Sequence, residues 1–155
     1  MLGRRRLSGG FSLLEVVIVV AIIAILAAIG IPRMSRGSRG ANDAAVSGNL
    51  SVLRNAIDLF SAEHGGAYPA VADCNDQLTS YTDVSGDTSA TKTGGYIYGP
   101  YLRSIPPLTV GAHKGEKGIA DANAAGVGWI YTAASGDIRA NATETDDAGV
   151  VYSDY

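Results

Sequence analysis

The chain has 155 residues, enough for one domain and an anchor, and its formal net charge is −3 at pH 7. Three of its 12 basic residues stand together near the start, at Arg4, Arg5 and Arg6, so the rest of the chain is more acidic than the total indicates. A body of this charge lacks the clustered Lys and Arg that neutralise phosphates, and we therefore expect no nucleic-acid partner.

The first ten residues, 1–10, form a short basic segment that ends in Gly9 and Gly10. A secretory signal places its small-residue cleavage site after the apolar core, whereas here the small residues precede the core. Cleavage after Gly10 would remove this leader and keep the apolar helix. Glycine suits that position because a protease at the membrane surface needs an extended and unhindered peptide bond.

Residues 9–31 read GGFSLLEVVIVVAIIAILAAIGI, an apolar run of membrane length with one carboxylate, Glu15. We predict a transmembrane helix at 11–31. A carboxylate near the start of a lipid-facing helix is strongly unfavourable without a partner, so Glu15 is a candidate functional residue. The alternative interpretation is a carboxylate that snorkels to the headgroups near the helix end.

The stretch Gly10-Phe11-Ser12-Leu13-Leu14-Glu15 resembles the prepilin-peptidase signature of type IV pilins and type II secretion pseudopilins. The resemblance implies that one membrane peptidase cleaves between Gly10 and Phe11 and then methylates the Phe11 amine. It also gives Glu15 a partner, since the carboxylate of one subunit is expected to meet the N-terminal ammonium of its neighbour in a filament. Such a charge pair offsets the desolvation of both groups and sets axial register.

The same resemblance implies a location and a set of partners. The arginines before and after the apolar run are equal in number, so the positive-inside count does not orient the helix. On the resemblance, the protein is single-pass in the bacterial inner membrane with its head in the periplasm. It also enters the assembled filament, where the helix at 11–31 forms the filament core. The expected partners are the prepilin peptidase, further copies of the chain in a helical homo-polymer, minor pseudopilins and the inner-membrane assembly platform.

The helix is predicted to continue beyond the membrane through residues 32–66. Asn42 and Asp43 are predicted to cap a restart if the chain bends before them. Gly65 and Gly66 are predicted to end the helix. Between these points, apolar residues recur at spacings of four, three, four and three, which indicates one buried helix face: Val46, Leu50, Leu53, Ile57 and Phe60.

The head, 67–155, carries a second resemblance, to the major pseudopilin of type II secretion. Its first motif is Gly66-Ala-Tyr68-Pro69 at the helix end, and its second is Tyr101-Leu-Arg-Ser-Ile-Pro106. The segment from Trp129 to Ile138 is similar to the final hairpin of that family. The Asp-Pro-Trp-Gly that usually follows the proline turn is replaced here by Pro107-Leu-Thr-Val.

The patterns of the head predict its elements. Residues 128–133 and 137–142 are strand candidates on either side of Gly136, which predicts a hairpin. Residues 79–95 are almost free of apolar side chains and are predicted to form an exposed loop. The expected fold class is α+β and pilin-like: a long N-terminal α-helix, transmembrane in its first half, packed on a small antiparallel β-sheet head.

No side-chain pattern indicates catalysis, and we predict no enzyme activity. His64 and His113 lack Cys, Asp or Glu at metal-ligand spacing, and His64 is predicted at a helix end, where a cation favours the helix dipole. Cys74 is the single cysteine, which excludes an intrachain disulfide and predicts a semi-buried thiol. Major pseudopilins as a family hold calcium in a loop of the head, and four carboxylates here match its ligand type but no loop spacing: Glu144, Asp146, Asp147 and Asp154. We therefore predict no cofactor, with calcium as the alternative.

Three functions follow from these features. The first is a structural subunit of a type II secretion pseudopilus, a short periplasmic filament for protein secretion. The second is a type IV pilus pilin with a role in adhesion, motility or DNA uptake; the lone cysteine and the Gly-x-Tyr-Pro motif disfavour it. The third is an uncleaved membrane-anchored protein whose head binds a ligand, which leaves the Gly10, Phe11 and Glu15 constellation unexplained.

Overall fold

The computed structural model describes residues 12–155, with the backbone alone at 30–36 and at Ser38. Contacts within the chain divide it into two units, with the boundary between Ser38 and Arg39. The first helix, α1 (Leu13–Glu63), contributes residues to both units. The predicted boundaries at 10, 31 and 66 stay predictions.

In the first unit, the side chains of α1 from Leu13 to Ile29 are apolar apart from Glu15, and almost all of them face solvent. From Ser12 to Ile29 every side chain is exposed except that of Ala27, which is half-buried. Within the described residues, no helix is both long enough and apolar enough to cross a membrane. The transmembrane span predicted at 11–31 is therefore not confirmed.

In the second unit, α1 is continuous through Asn42 and Asp43, so the predicted restart is wrong. Both residues instead contact distant segments, since the Asn42 carbonyl accepts a hydrogen bond from the Thr109 hydroxyl at 3.3 Å and the Asp43 carboxylate accepts one from the Tyr152 hydroxyl. A continuous helix adds one backbone hydrogen bond per residue without a second nucleation, whereas a restart needs a new first turn.

The end of α1 is where the sequence predicts it. Gly65 and Gly66 have φ values of 66° and 91°, in the left-handed region where glycine has no steric penalty. The Gly66 N–H donates to the Ser61 carbonyl at 2.8 Å, which is the six-to-one hydrogen bond of a Schellman cap. The glycine pair thereby ends the helix and turns the chain into the head.

The head is α+β, as predicted, with one short helix and two small sheets. The helix α2 (Cys74–Thr79) precedes a two-stranded antiparallel sheet of β1 (Tyr81–Thr82) and β2 (Thr88–Ser89). The second sheet has the order β3 (Gly118–Ala120), β4 (Val127–Thr132) and β5 (Asp137–Ala140). A 3₁₀ turn, Tyr152–Asp154, follows.

Two details of the sheets differ from the predictions. The β4–β5 hairpin is antiparallel as predicted, but β3 runs parallel to β4, so the sheet is mixed. With three residues, β3 is too short to show an alternating pattern in the sequence. The segment 79–95, predicted to be an exposed loop, contains the β1–β2 pair. Thr82 of β1 is buried, and its backbone also pairs with that of Tyr98.

The core lies between α1 and the second sheet. All five residues of the predicted stripe are at most 2% exposed, and they pack in one cluster with Trp129 and Tyr131 of β4 and Ile138 of β5. The polar atoms of the two aromatic residues are satisfied within the core, since Trp129 Nε1–H donates to the Pro106 carbonyl at 2.8 Å and the Tyr131 hydroxyl to the Pro69 carbonyl at 3.1 Å. The stripe is therefore core, as predicted.

Leu53→Ala should lower the free energy of unfolding by about 2–5 kcal/mol, because Leu53 is fully buried and its loss leaves a cavity. The neighbouring Val52 is 47% exposed, so Val52→Ala is the matched control and should change the stability by less than about 0.5 kcal/mol. Urea denaturation of both variants measures the difference. Equal effects of the two changes would contradict the burial of this face.

Candidate functional site

The candidate site predicted at the N-terminus is partly described. Gly10 and Phe11, the predicted cleavage and methylation sites, lie outside the described residues, so both stay predictions. Glu15, the predicted register residue, lies in the first turn of α1 with an exposed side chain. The structure therefore describes the surroundings of Glu15 within the chain, and the role of Glu15 in assembly stays a prediction.

The start of α1 is fixed by Ser12 and Glu15. The Ser12 carbonyl accepts hydrogen bonds from the N–H groups of Glu15 at 3.0 Å and Val16 at 3.2 Å, so Ser12 precedes the first helical turn. Glu15 follows it three residues later, which is the sequence spacing of a capping box. A carboxylate in the first turn also interacts favourably with the partial positive charge at a helix start. The candidate site therefore consists of the start of α1 and the Glu15 carboxylate in its first turn.

Apolar side chains surround Glu15. Leu13 is 81% exposed and Leu14 69%, and Glu15 is the one charged side chain between residues 12 and 29. A contiguous exposed apolar surface of this extent marks a site of contact with a membrane or with another protein. Residues 12–29 therefore form an apolar binding surface with a single negative charge, that of Glu15, near its N-terminal end.

In the head, His113 has a close acidic partner that the sequence analysis missed. His113 Nδ1 lies 2.6 Å from Glu116 Oε2, and this hydrogen bond lowers the pKa of the Glu116 carboxyl. The available signal in the sequence was the separation of three residues between His113 and Glu116, which a tight turn can bring together. The other histidine, His64, directly follows α1 as predicted, but its ring is buried against Phe60 rather than exposed at the helix end.

Cys74 is more deeply buried than predicted. The side chain begins α2 and is fully buried within the core cluster. Burial raises the pKa of the Cys74 thiol to about 12, so the thiol is protonated at neutral pH. A protonated buried thiol is a poor nucleophile and metal ligand, which assigns Cys74 a packing role.

The four carboxylates weighed for calcium do not form one cluster. Asp146 Oδ1 accepts hydrogen bonds from the N–H groups of Ala148 and Val150, each at 2.8 Å, and its Oδ2 accepts one from the Tyr155 hydroxyl. Within 12–155, no group of three or more His, Cys, Asp or Glu side chains is placed to hold a metal ion. The expected absence of a cofactor stays a prediction.

The comparisons with known proteins concern the N-terminal segment. Residues 5–31 match the family model of the prokaryotic N-terminal methylation motif. Comparison of the chain with curated proteins and with solved structures finds no significant match. The motif is a substrate signal for prepilin peptidase in type IV pilin-like proteins, which are structural rather than catalytic. The chain therefore carries a type IV pilin-like N-terminus, which indicates a membrane-anchored protein that faces the periplasm.

Cys74 should resist alkylation in the folded protein. With a pKa of about 12, the thiol holds about 10³-fold less thiolate at pH 8 than a free cysteine does, and its burial also blocks the reagent. Mass spectrometry after iodoacetamide treatment should find Cys74 unmodified in the native chain and fully modified in urea. Rapid modification without denaturant would show that the core opens at α2.

The hydrogen bond between Tyr155 and Asp146 should make stability depend on pH at both extremes. This bond raises the pKa of Tyr155 to about 12 and lowers the pKa of Asp146. For Tyr155 the folded pKa is raised, so its stabilising contribution is present below about pH 10 and is lost as the pH rises towards 12. For Asp146 the folded pKa is depressed, so its contribution is present above about pH 4 and is lost as the pH falls below that.

Tyr155→Phe should therefore flatten both limbs of the stability profile, as measured by urea unfolding from pH 3 to pH 12. Tyr96→Phe is the control, because no hydrogen bond of the Tyr96 hydroxyl is found among the described residues. An unchanged profile in Tyr155→Phe would contradict the assigned bond.

Proposed function

We propose that the chain is a structural subunit of a type II secretion pseudopilus, assembled from the inner membrane into a short periplasmic filament for protein secretion. One observation carries the proposal: a prokaryotic N-terminal methylation motif at 5–31 coincides with the start of α1, where the large apolar side chains from Leu13 to Ile29 are exposed and the one carboxylate among them, Glu15, lies in the first turn. No pattern of catalytic residues competes with this interpretation.

The proposed processing step creates the charge that Glu15 needs. Cleavage between Gly10 and Phe11 places a new ammonium group one residue before Ser12, and α1 begins directly after Ser12. An ammonium at a helix N-terminus is disfavoured by the partial positive charge there. The Glu15 carboxylate of a neighbouring subunit offsets that repulsion, and the pair is strong because its surroundings are apolar. Methylation of the Phe11 amine keeps its positive charge.

In this proposal, the exposed apolar segment is covered first by the membrane and then by other subunits. Before assembly, the residues from Leu13 to Ile29 lie in the inner membrane as a single-pass anchor. During assembly, the platform transfers each subunit into a helical homo-polymer, where the same side chains pack against other subunits and against minor pseudopilins. Both environments remove apolar surface from water, so the exchange between them needs little net free energy.

The preference for the pseudopilin over the pilin rests on the resemblance of the head to the major pseudopilin and on the lone cysteine. The Gly-x-Tyr-Pro motif and the final hairpin, which carry the second resemblance, touch each other. Tyr68 lies against Gly136 so closely that a Cβ at 136 would come within 2.4 Å of its ring, and the Tyr131 hydroxyl donates to the Pro69 carbonyl. Cys74 is buried in the core and forms no intrachain disulfide, unlike the cysteine pairs of many type IV pilins.

A type IV pilus pilin for adhesion or motility is the second candidate, and the segment after Pro106 favours it. Pro107-Leu-Thr-Val replaces the Asp-Pro-Trp-Gly that is usual in pseudopilins, and this segment packs within the head. Leu108 and Val110 belong to the core cluster, and the Pro107 carbonyl accepts a hydrogen bond from Asn49 Nδ2 at 3.1 Å. The acidic charge of the chain argues against DNA uptake in either case.

Intact mass of the protein extracted from its native membrane tests the pilin class first. A chain that begins at methylated Phe11 supports both filament candidates, whereas a chain that begins at Met1 supports an uncleaved, membrane-anchored ligand-binding protein. Deletion of the gene then separates the filaments. Loss of protein secretion with normal motility and adhesion supports the pseudopilus, and the reverse result supports the pilus.

Glu15→Ala should leave cleavage intact and reduce incorporation into filaments, because the leader is unchanged while the neighbour's ammonium loses its partner. A loss of about 1.4 kcal/mol at each subunit contact lowers each association constant about tenfold, so the filament fraction should fall by at least that factor. Immunoblots of the membrane and sheared-filament fractions measure both steps.

Gly10→Val is the matched control for processing. It should block cleavage, so the full-length form accumulates in the membrane while Glu15 is still present. A normal filament yield from Glu15→Ala would contradict the register role, and mature protein from Gly10→Val would show that the cleavage site lies elsewhere.

A further inference from the structure

His64 contacts two main-chain carbonyl groups from different parts of the fold. Its side chain is 9% exposed and lies directly after α1. Nδ1 lies 2.8 Å from the carbonyl oxygen of Phe60, in the last turn of α1, and Nε2 lies 2.8 Å from the carbonyl oxygen of Asp83, in the turn between β1 and β2. The imidazole ring therefore bridges the end of the long helix and the turn of the small sheet.

The chemistry of the two partners determines which form of the ring fits. A carbonyl oxygen accepts hydrogen bonds and cannot donate them, and a neutral imidazole carries one N–H and one acceptor nitrogen. The neutral ring can therefore bond to one of the two carbonyls, and it turns a lone pair towards the other. The doubly protonated ring donates to both. At 2.8 Å on each side, the geometry matches two charge-assisted N–H···O bonds.

Aromatic rings surround the imidazole on its faces. Phe60 stacks on it with ring centroids 3.8 Å apart and an interplanar angle of 9°, and Tyr98 lies 5.1 Å away at 58°. A cation is attracted by the negative face of an aromatic ring, so this setting also favours the imidazolium. The ring is thus enclosed by groups that either accept hydrogen bonds or tolerate positive charge.

The charged and titratable groups around this position are already engaged. On α1, the Glu63 carboxylate accepts a hydrogen bond from the Tyr101 hydroxyl at 2.6 Å. Burial and this bond raise the pKa of Tyr101, so that hydroxyl stays neutral near pH 7. In the β1–β2 turn, Asp83 Oδ1 accepts hydrogen bonds from the N–H groups of Ser85 at 2.8 Å and Asp87 at 3.0 Å. The Tyr98 phenol completes the set.

The β1–β2 turn depends on the same carbonyl that His64 contacts. The Asp83 carbonyl also accepts the Gly86 N–H at 3.1 Å, and the Gly86 carbonyl accepts Gln77 Nε2–H of α2 at 2.9 Å. The turn is therefore held by α2 on one side and by His64 on the other. Loss of the His64 bond removes a hydrogen bond between the turn and the end of α1, while the Phe60 side chain still lies beside Gly86.

We propose that His64 is a proton-dependent clamp that holds the β1–β2 turn, residues 83–87, on the end of α1. The doubly protonated ring holds both carbonyls, and removal of one ring proton releases one of them. Because the turn is attached through one hydrogen bond fewer once a ring proton is lost, stability should fall as the pH rises. This inference does not depend on which filament the chain enters.

Nuclear magnetic resonance of the full-length chain in detergent micelles tests the clamp. The chain has two histidines, so His113→Gln leaves His64 as the sole imidazole without changing the proposed clamp. At pH 5 both ring nitrogens of His64 should carry a proton. When the pH is raised from 5 to 8, the amide signals of residues 83–87 should shift and their hydrogen exchange should accelerate. A ring with one protonated nitrogen throughout this range, with unchanged amide signals at 83–87, would overturn the proposal.

Urea unfolding gives a second measurement in the same pH range. In the His113→Gln protein, the unfolding constant should rise with pH by at most about tenfold per pH unit, as expected for one proton. In the matched double variant, which carries His64→Gln together with His113→Gln, this dependence should disappear, because glutamine does not titrate. An equally steep pH dependence in the double variant would assign the effect to another group and overturn the clamp.

Discussion

Burial of one face of α1 holds the described head together. Leu50, Leu53 and Ile57 are fully buried, and the side chains that cover them come from the hairpin and from α2. Each such side chain contributes about 1.5–3 kcal/mol through burial, whereas a typical hydrogen bond contributes about 0.5–1.5 kcal/mol net. Packing therefore stabilises this unit, and hydrogen bonds such as that from Trp129 to the Pro106 carbonyl orient the packed groups.

The same helix carries two kinds of surface because its sequence changes character along its length. Between Val46 and Phe60 the apolar residues form a stripe with polar residues on the other faces, which is the pattern of a helix that packs on its own domain. Between Leu13 and Ile29 the residues other than Glu15 are apolar on every face, and the structure leaves all of them but the half-buried Ala27 exposed. The first surface is satisfied within the chain, and the second needs other molecules to cover it. That division is what the proposed role as a subunit of a larger assembly requires.

Polar contacts attach the ends of the head to the helix. The hydroxyl of Tyr152 donates to Asp43, and the Arg54 guanidinium donates to the carbonyls of Ile138 and Tyr155. At the other end of the same helix segment, His64 contacts the β1–β2 turn. Burial and the bond to Asp43 raise the pKa of Tyr152, so the stabilising contribution of this hydroxyl is present at neutral pH and is lost when the hydroxyl ionises at alkaline pH.

The sequence by itself determined the features that arise from neighbouring residues. The N-terminal motif, the stripe from Val46 to Phe60, the helix end at Gly65 and Gly66 and the β4–β5 hairpin all follow from local spacing and turn chemistry, and the structure has the last three where they were predicted. Neighbours along the chain meet in any fold, so their pattern is visible without one.

Only the tertiary structure decided the features that join distant residues. These are the continuity of α1 through Asp43, the parallel pairing of β3, the β1–β2 pair and the two carbonyls that His64 contacts. Tyr152 is 109 residues from Asp43, and no local pattern links them. Such contacts form because burial of the core brings the segments together, and the polar groups then bond with the partners that packing has placed beside them.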